Sequence, residues 1–383
     1  MSTSLSFKIY RTVSALPADW DSLSKGTIFL SSAYLKSLEI SAPSNMRCHF
    51  IGIFDDDNLV GIALSQFLDL RKVASFGDRD SCLKTKIREF VFKNFSSTVL
   101  FIGNNMLTGQ NAFAFSDAVV VADGLISLQK AAVQIQQILK TEGIKTHLLV
   151  WKDFNAFQSD DFKISAFNNY YEFRTQPNMI LEIPTGWNHF DQYIDSLLKK
   201  YRDQYKRARK KAEGLTKKKL SIEEIILYNP IINNLYLTVA QNAPFNTFYL
   251  PENHFIDLKK QLKDHFLFYG YFNGDTLIGF NTLIKNGNDI DTYFLGYDEQ
   301  CQREKMLYLN MLYDMVAYSI NKGYSRIIFA RTALEIKSSV GAKPKAMTGF
   351  IKHNNSIINF FIGKLFKYFE PETIWQERQP FKD

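Results

Sequence analysis

The chain has 383 residues, of which 46% are hydrophobic, 15% aromatic and 22% charged, enough apolar material for two cores and too mixed a composition for disorder. No apolar run approaches the roughly 18 residues that cross a bilayer, and the opening MSTSLSFKIYRTV lacks a charged start followed by an apolar core, so no secretory signal is expected. The net charge is +7, yet residues 199–219 hold eleven Lys or Arg against Asp203 and Glu213, so the rest of the chain is slightly acidic and the basic character is local.

Taken in order, the first clear element is a β-hairpin over 51–61, two apolar runs around Asp55-Asp56-Asp57-Asn58. An insertion is expected somewhere in 70–115. Within it, Gly103-Asn104-Asn105-Met106-Leu107-Thr108-Gly109 reads as a strand connection more readily than as a ligand loop. Residues 126–150 give a helix ending at Gly143 and a strand Thr146–Trp151, which runs into Trp151-Lys152-Asp153-Phe154. Phe190, Ile194, Leu197, Tyr201, Tyr205, Ala208 and Ala212 then recur at helical spacing. They predict one amphipathic helix over 188–213, capped by Trp187-Asn188 and stopped by Gly214. Its basic faces suit an anionic lipid surface, a polyphosphate ligand or RNA, or simply face solvent.

A second hairpin covers 269–279 and repeats the first. Gly52, Phe54, Asp57, Leu59 and Gly61 match Gly270, Phe272, Asp275, Leu277 and Gly279. Strands 278–284 and 289–295 flank a turn at Asn286-Gly287-Asn288. A helix over 304–321 ends at Gly323, and a strand Arg326–Ala330 follows. The order hairpin, helix, strand thus occurs twice, which points to duplication. Lys343 and Lys345 flank Pro344 in an expected loop, His353 is a local polar residue, and Trp375–Phe381 is expected to be a strand or docked tail. Cys48, Cys82 and Cys301 and the six histidines are scattered, so neither a disulfide framework nor a metal site is expected, and a reducing cytoplasm fits.

Several segments together resemble the GNAT superfamily, twice over, and more closely tandem-GNAT proteins related to Fem-type peptidoglycan transferases. They are Lys199-Lys200-Tyr201-Arg202 and Tyr205-Lys206-Arg207-Ala208, Phe294-Leu295-Gly296-Tyr297-Asp298, Leu307-Tyr308, Gly323-Tyr324, and Phe329-Ala330-Arg331 through Lys337. The resemblance implies a mixed α/β (α+β) protein of two GNAT-like modules. Each would be a mostly antiparallel twisted sheet flanked by helices, and the basic amphipathic helix would join them. Residues 1–170 would form a non-catalytic module and 171–383 the catalytic one.

It also implies N-acyl transfer from a thioester, acyl-CoA or acyl-carrier protein, to an amine of a lipid or cell-envelope precursor. The alternatives are aminoacyl-tRNA-dependent peptidyl transfer and a non-catalytic binding module. The expected catalytic residues are Asp291, to orient or deprotonate the amine, Tyr297, to protonate the leaving group, and Glu335. The expected binding residues are Lys200, Arg202, Tyr293, Arg303, Tyr308, Arg331 and Lys337. Acetyl-CoA-using members carry a glycine-bearing phosphate loop before the helix. Here Gln302-Arg303-Glu304-Lys305-Met306-Leu307 has no glycine, which argues against ordinary acetyl-CoA. Expected partners are the thioester and the amine, an anionic membrane surface through 188–213, and less strongly tRNA. No covalently bound cofactor and no metal are expected, and the expected location is cytoplasmic, peripheral at the inner membrane.

Overall fold

The computed structural model describes residues 5–72, 96–243, 246–369 and 375–382; Cys82 and much of the expected insertion lie outside them. In chain order the elements used below are β1 (Ser6–Tyr10), β2 (Met46–Asp55), β3 (Asn58–Asp69), β4 (Thr98–Ile102), β5 (Phe113–Phe115), α1 (Val121–Thr141), β6 (Leu148–Phe154) and β7 (Tyr171–Glu182). Then come α2 (Phe190–Ser196), α3 (Lys199–Lys211), β8 (Leu215–Lys219), α4 (Asn229–Gln241), α5 (His254–Leu262), β9 (Phe266–Asn273), β10 (Thr276–Asn286) and β11 (Asp289–Tyr297). The last are α6 (Glu299–Lys305), α7 (Leu307–Asn321), β12 (Arg326–Ala330), α8 (Leu334–Ser339), β13 (Lys343–His353) and α9 (Ser356–Phe369).

The chain forms two compact units. The first comprises 1–175, 244–251 and 346–372, and the second 176–243, 252–345 and 373–383. The expected single boundary at 170/171 is therefore corrected. Residues 348–353 of β13 pair antiparallel with β6, and 346–372 belong to the first unit. Pairing of this kind is a long-range choice that local periodicity cannot register.

In the first unit β1, β2, β3 and β4 are antiparallel neighbours, β4 runs parallel to β6, and β13 closes the row. In the second, β8, β9, β10 and β11 are antiparallel, β11 runs parallel to β12, and residues 179–182 of β7 close the row. The repeat extends to fine detail. Asp56 and Gly274, equivalent turn residues, both take positive φ, at 51° and 57°. The register slips past Val60 in one hairpin and past Ile278 in the other, again equivalent positions. Each sheet buries a helix: Leu125, Leu128, Ala132, Ile135 and Leu139 of α1 are fully covered in the first unit, as are Leu307, Met311 and Val316 of α7 in the second.

The predicted helix 188–213 is two helices. Leu197 and Leu198 adopt extended ψ values of 143° and 151° between them. The tail binds at the break: Leu198 N–H donates to Pro380 O, Lys382 N–H donates to Ser196 O, and Leu197 pairs with Phe381. The N-cap is His189 rather than Trp187-Asn188, with Gln192 completing a capping box. The predicted helix 304–321 is broken as well, by Met306 in the left-handed region. The expected loop at Lys343–Lys345 is the start of β13, and Lys345 pairs with Glu182 at 2.8 Å.

Candidate functional site

In the second unit, two strands part. β11 stays paired with β10 from Asp289 to Tyr297, but with β12 it pairs only at Asp289, Ile290 and Asp291, opposite Arg326, Ile327 and Ile328. Past Asp291 the two strands share no register, and Thr292 Oγ1 spans the opening to donate to Ile328 O at 3.1 Å. A bulge sits at the same point, because Thr282 of β10 faces both Tyr293 and Phe294. A bulge twists its strand and redirects side chains, here beside the parting. Thr282 Oγ1 donates to Phe294 O at 2.6 Å and fixes it.

Asp291 lies at the apex of that parting and is 5% exposed. Burial pushes its carboxyl up to about 7, partly opposed by the Asn286 side-chain amide, which donates to Oδ2 at 3.1 Å. Arg326, whose cation would also lower it, is held at Asp289 by two contacts of 2.9 and 2.6 Å. A carboxyl poised near neutrality can accept a proton at physiological pH.

At the end of β12 stands Lys337, on α8. Its ammonium donates to Phe329 O at 2.6 Å, Ala330 O at 3.4 Å and Arg331 O at 2.5 Å. Burial pushes it down to about 7, while three carbonyl acceptors favour its charged form. The carbonyls belong to a strained turn, for Ala330, Thr332 and Ala333 have φ of 59°, 66° and 47°. Such backbone costs on the order of 1–3 kcal/mol per residue and needs surrounding structure to persist. Lys337 supplies that structure. Asp291 and Lys337 thus flank the end of β12, one beside Ile328 and the other at residues 329–331.

The other expected site residues spread more widely. Tyr293, on the bulge, bonds through Oη to Nε2 of the fully buried His254 at 3.0 Å. Tyr297 ends β11 near Tyr308, ring centroids 6.1 Å apart, and burial raises both phenols. Arg331 is half-buried, and desolvation lowers its guanidinium to about 10. Glu335 is half exposed and ion-paired to Arg378 of the docked tail, away from the carbonyls that Lys337 holds. Arg303 is exposed on α6 and pairs with Glu299 at 2.9 Å. Lys200 and Arg202 lie on α3, the former exposed above the Tyr201 ring.

Not all of the basic helix is available to a ligand. Arg209 donates to Asp314 at 2.8 Å and Asn310 at 3.2 Å, Lys217 approaches the same Asp314, and Tyr271 donates to it at 2.9 Å. This network pins α3 to α7. Lys199, Lys200, Lys206, Arg207, Lys210 and Lys211 are exposed and have no ion-pair partner among the described residues. At the start of α7, where a phosphate loop would offer backbone N–H groups, Tyr308 N–H already donates to Gln302 Oε1 at 2.9 Å.

Sequence reasoning missed His254 and Asn286, which bear on Tyr293 and Asp291. It also missed Lys152, whose buried ammonium donates to Asn104 O and Leu107 O at 3.0 and 3.1 Å and pairs with Asp153 at 2.7 Å. Nothing local marks them. A buried lysine that holds main-chain carbonyls, Lys152 within β6 and Lys337 on α8, becomes visible only when the two units are compared.

An antiparallel hairpin sheet, a helix and a parallel strand, present in two copies that each recruit a distant closing strand, with the parallel strand parting from its neighbour in the second, is the tandem GNAT/Fem-like fold. Among solved structures, FemX matches with a TM-score of 0.51 and 12% identity, over 95% of this chain and 100% of its own. A conserved protein of unknown function from Bacteroides thetaiotaomicron VPI-5482 matches with a TM-score of 0.51 and 10% identity, over 90% of this chain and 99% of its own. A tandem GNAT protein from the clavulanic acid biosynthesis pathway gives 0.49 and 8%, over 92% and 99%. At these identities the likeness is one of fold. No family model matches the sequence, and no curated protein matches it either.

Proposed function

We propose that this protein is an N-acyltransferase that moves an acyl group from an activated ester to an amine in the second unit. The observation that carries the reading is the parting of β11 from β12 at a buried carboxyl near neutrality, with a bulge at Tyr293–Phe294. An acyl carbonyl lying along the unpaired edge would stand beside Asp291. The carboxylate takes a proton from the incoming ammonium. The amine nitrogen then forms its bond to the acyl carbon, the bond to the leaving sulfur or oxygen breaks, and the second proton that the nitrogen sheds passes to that leaving atom; Tyr297, six residues along β11 and so roughly 20 Å from Asp291, is too distant to supply it. Lys337 holds the β12 turn and places its positive charge at the strand end.

The donor is best read as a group carried on a macromolecule, such as acyl-carrier protein, in place of free acyl-CoA, because Gln302 already occupies the helix start where a pyrophosphate would sit. The acceptor class proposed is the amine of a lipid or cell-envelope precursor. A second reading, transfer from aminoacyl-tRNA, is favoured by the six exposed cations of α3 that have no ion-pair partner among the described residues and by the likeness to FemX over nearly the whole chain. The test incubates purified protein with acyl-CoA, acyl-carrier protein and aminoacyl-tRNA over a panel of amines, with product mass as the readout. Asp291→Asn is expected to lose on the order of 10²–10⁴ in rate. If no donor is consumed with any amine, or Asp291→Asn is as active as wild type, the proposal falls.

A further inference from the structure

Helix α9, in the first unit, has two apolar faces and the fold covers one of them. Ile362 points inward at 6% exposure, whereas Ile357, Phe360 and Phe361 are 71%, 83% and 44% exposed. Positions 357, 360, 361 and 364 follow the i, i+3, i+4, i+7 spacing, so these three side chains and exposed Lys364 form one stripe. Phe360 and Phe361 meet edge to face at 5.0 Å, and the Lys364 ammonium lies 5.9 Å from the Phe361 ring centre. The helix sequence contains Lys364 and Lys367 and no acidic residue.

Beside the stripe runs a shallow groove between residues 168–171 and Asn359, Gly363 and Lys364 of the helix; among the described residues no carboxylate lines it. Lys352 stands over the Tyr170 ring at its border, 5.6 Å from the centre. The face is therefore apolar at its crest and edged by amide and ammonium donors.

We propose that this face docks on an anionic lipid surface, with Ile357, Phe360 and Phe361 entering the acyl boundary and Lys364 and Lys352 meeting lipid phosphates. Two observations select lipid over a protein partner. The three side chains exposed among the described residues make too small a patch for a stable protein interface, which takes about 800 Å² from each partner, but they suit an interfacial helix. A second copy of the chain would bring Lys364 into a like-charged interface. Among the described residues no helix is long and apolar enough to cross a membrane, so the attachment proposed is interfacial.

The test uses the full chain with vesicles of phosphatidylglycerol and phosphatidylcholine in equal parts, and of phosphatidylcholine alone. Wild type is expected to sediment with the anionic vesicles. A Phe360→Trp variant is expected to shift its emission to the blue when they are added. The double variant Ile357→Ser/Phe360→Ser is expected to bind at least tenfold less lipid with an unchanged melting temperature, since both side chains are exposed. Lys364→Glu is expected to weaken binding and to reduce its dependence on salt. The proposal is overturned if wild type stays in the supernatant at millimolar anionic lipid, if the double variant binds equally, or if the Phe360→Trp emission stays unshifted. It is also overturned if wild type is a dimer that the double variant abolishes.

Discussion

Replacing Asp291 by Asn tests the central physical claim about the site without any knowledge of the substrate. In the folded chain burial raises this carboxyl from the ordinary 3.8 to about 7. Between those values the folded state holds a proton that the unfolded chain has released. Stability present at low pH is therefore lost as pH climbs through that window, and above about 7 the loss is complete. At about 1.4 kcal/mol for each pH unit, the full cost of the buried carboxylate is about 4 kcal/mol. Asn keeps the shape and cannot ionise. The stability difference between Asp291→Asn and wild type is thus expected to grow by about 3 kcal/mol from pH 5 to pH 8 and to level off above neutrality. Titration of Lys337 is common to both proteins and drops out of the difference, provided the two groups do not couple. Urea unfolding at pH 5, 6, 7 and 8 measures it. A difference that stays constant with pH would show that the carboxyl titrates normally, and the case for a near-neutral base at the strand parting would fail with it. A fold that carries such a cost at a site is expected where stability is traded for function.

Other substitutions probe the framework around that carboxyl. Lys337→Met leaves the buried carbonyls of residues 329–331 without their ammonium, so a loss of about 3–5 kcal/mol is expected in denaturant unfolding; a loss below about 1 kcal/mol would mean that the turn holds itself. In Gly296→Ala the new Cβ would lie 2.6 Å from the Leu235 carbonyl carbon and the Tyr236 nitrogen, so β11 and α4 must separate, at about 2–3 kcal/mol. Gly274→Ala, in the open hairpin turn, is expected to cost only about 1 kcal/mol from its positive φ, and equal melting losses for the two glycines would contradict this. Phe381→Ala empties the space beside Trp187, Tyr193 and Gly341, with an expected loss of about 3–4 kcal/mol and faster proteolysis near Leu197–Leu198.

Much of this molecule is legible as local pattern. Apolar runs around polar turns mark the hairpins, and the apolar run after Gly323 predicts a strand at Arg326–Ala330, where β12 lies. Tyr293 and Asp291 were singled out from their position on β11, and the fold brings both to the strand parting. Glu335 is expected from its place after a strand and Arg303 from the stretch that stands where relatives carry a phosphate loop, yet each is held by a neighbouring charge, Arg378 and Glu299. A charge at a strand end looks the same in a sequence whether it faces a ligand or an ion pair.

Periodicity, turn chemistry and the internal repeat were enough to determine two related α/β modules, because those signals arise from contacts only a few residues apart. The tertiary structure alone decided which strand closes each sheet, where the basic helix breaks, and which buried groups titrate near neutrality. Residues 348–353 join β6 through a register set far along the chain. Leu197 leaves the helical path because Pro380 and Phe381 bind there, and the Asp291 carboxyl is shifted because folding removes it from water. Pairing, docking and desolvation depend on residues distant in sequence, so no window of local sequence contains them.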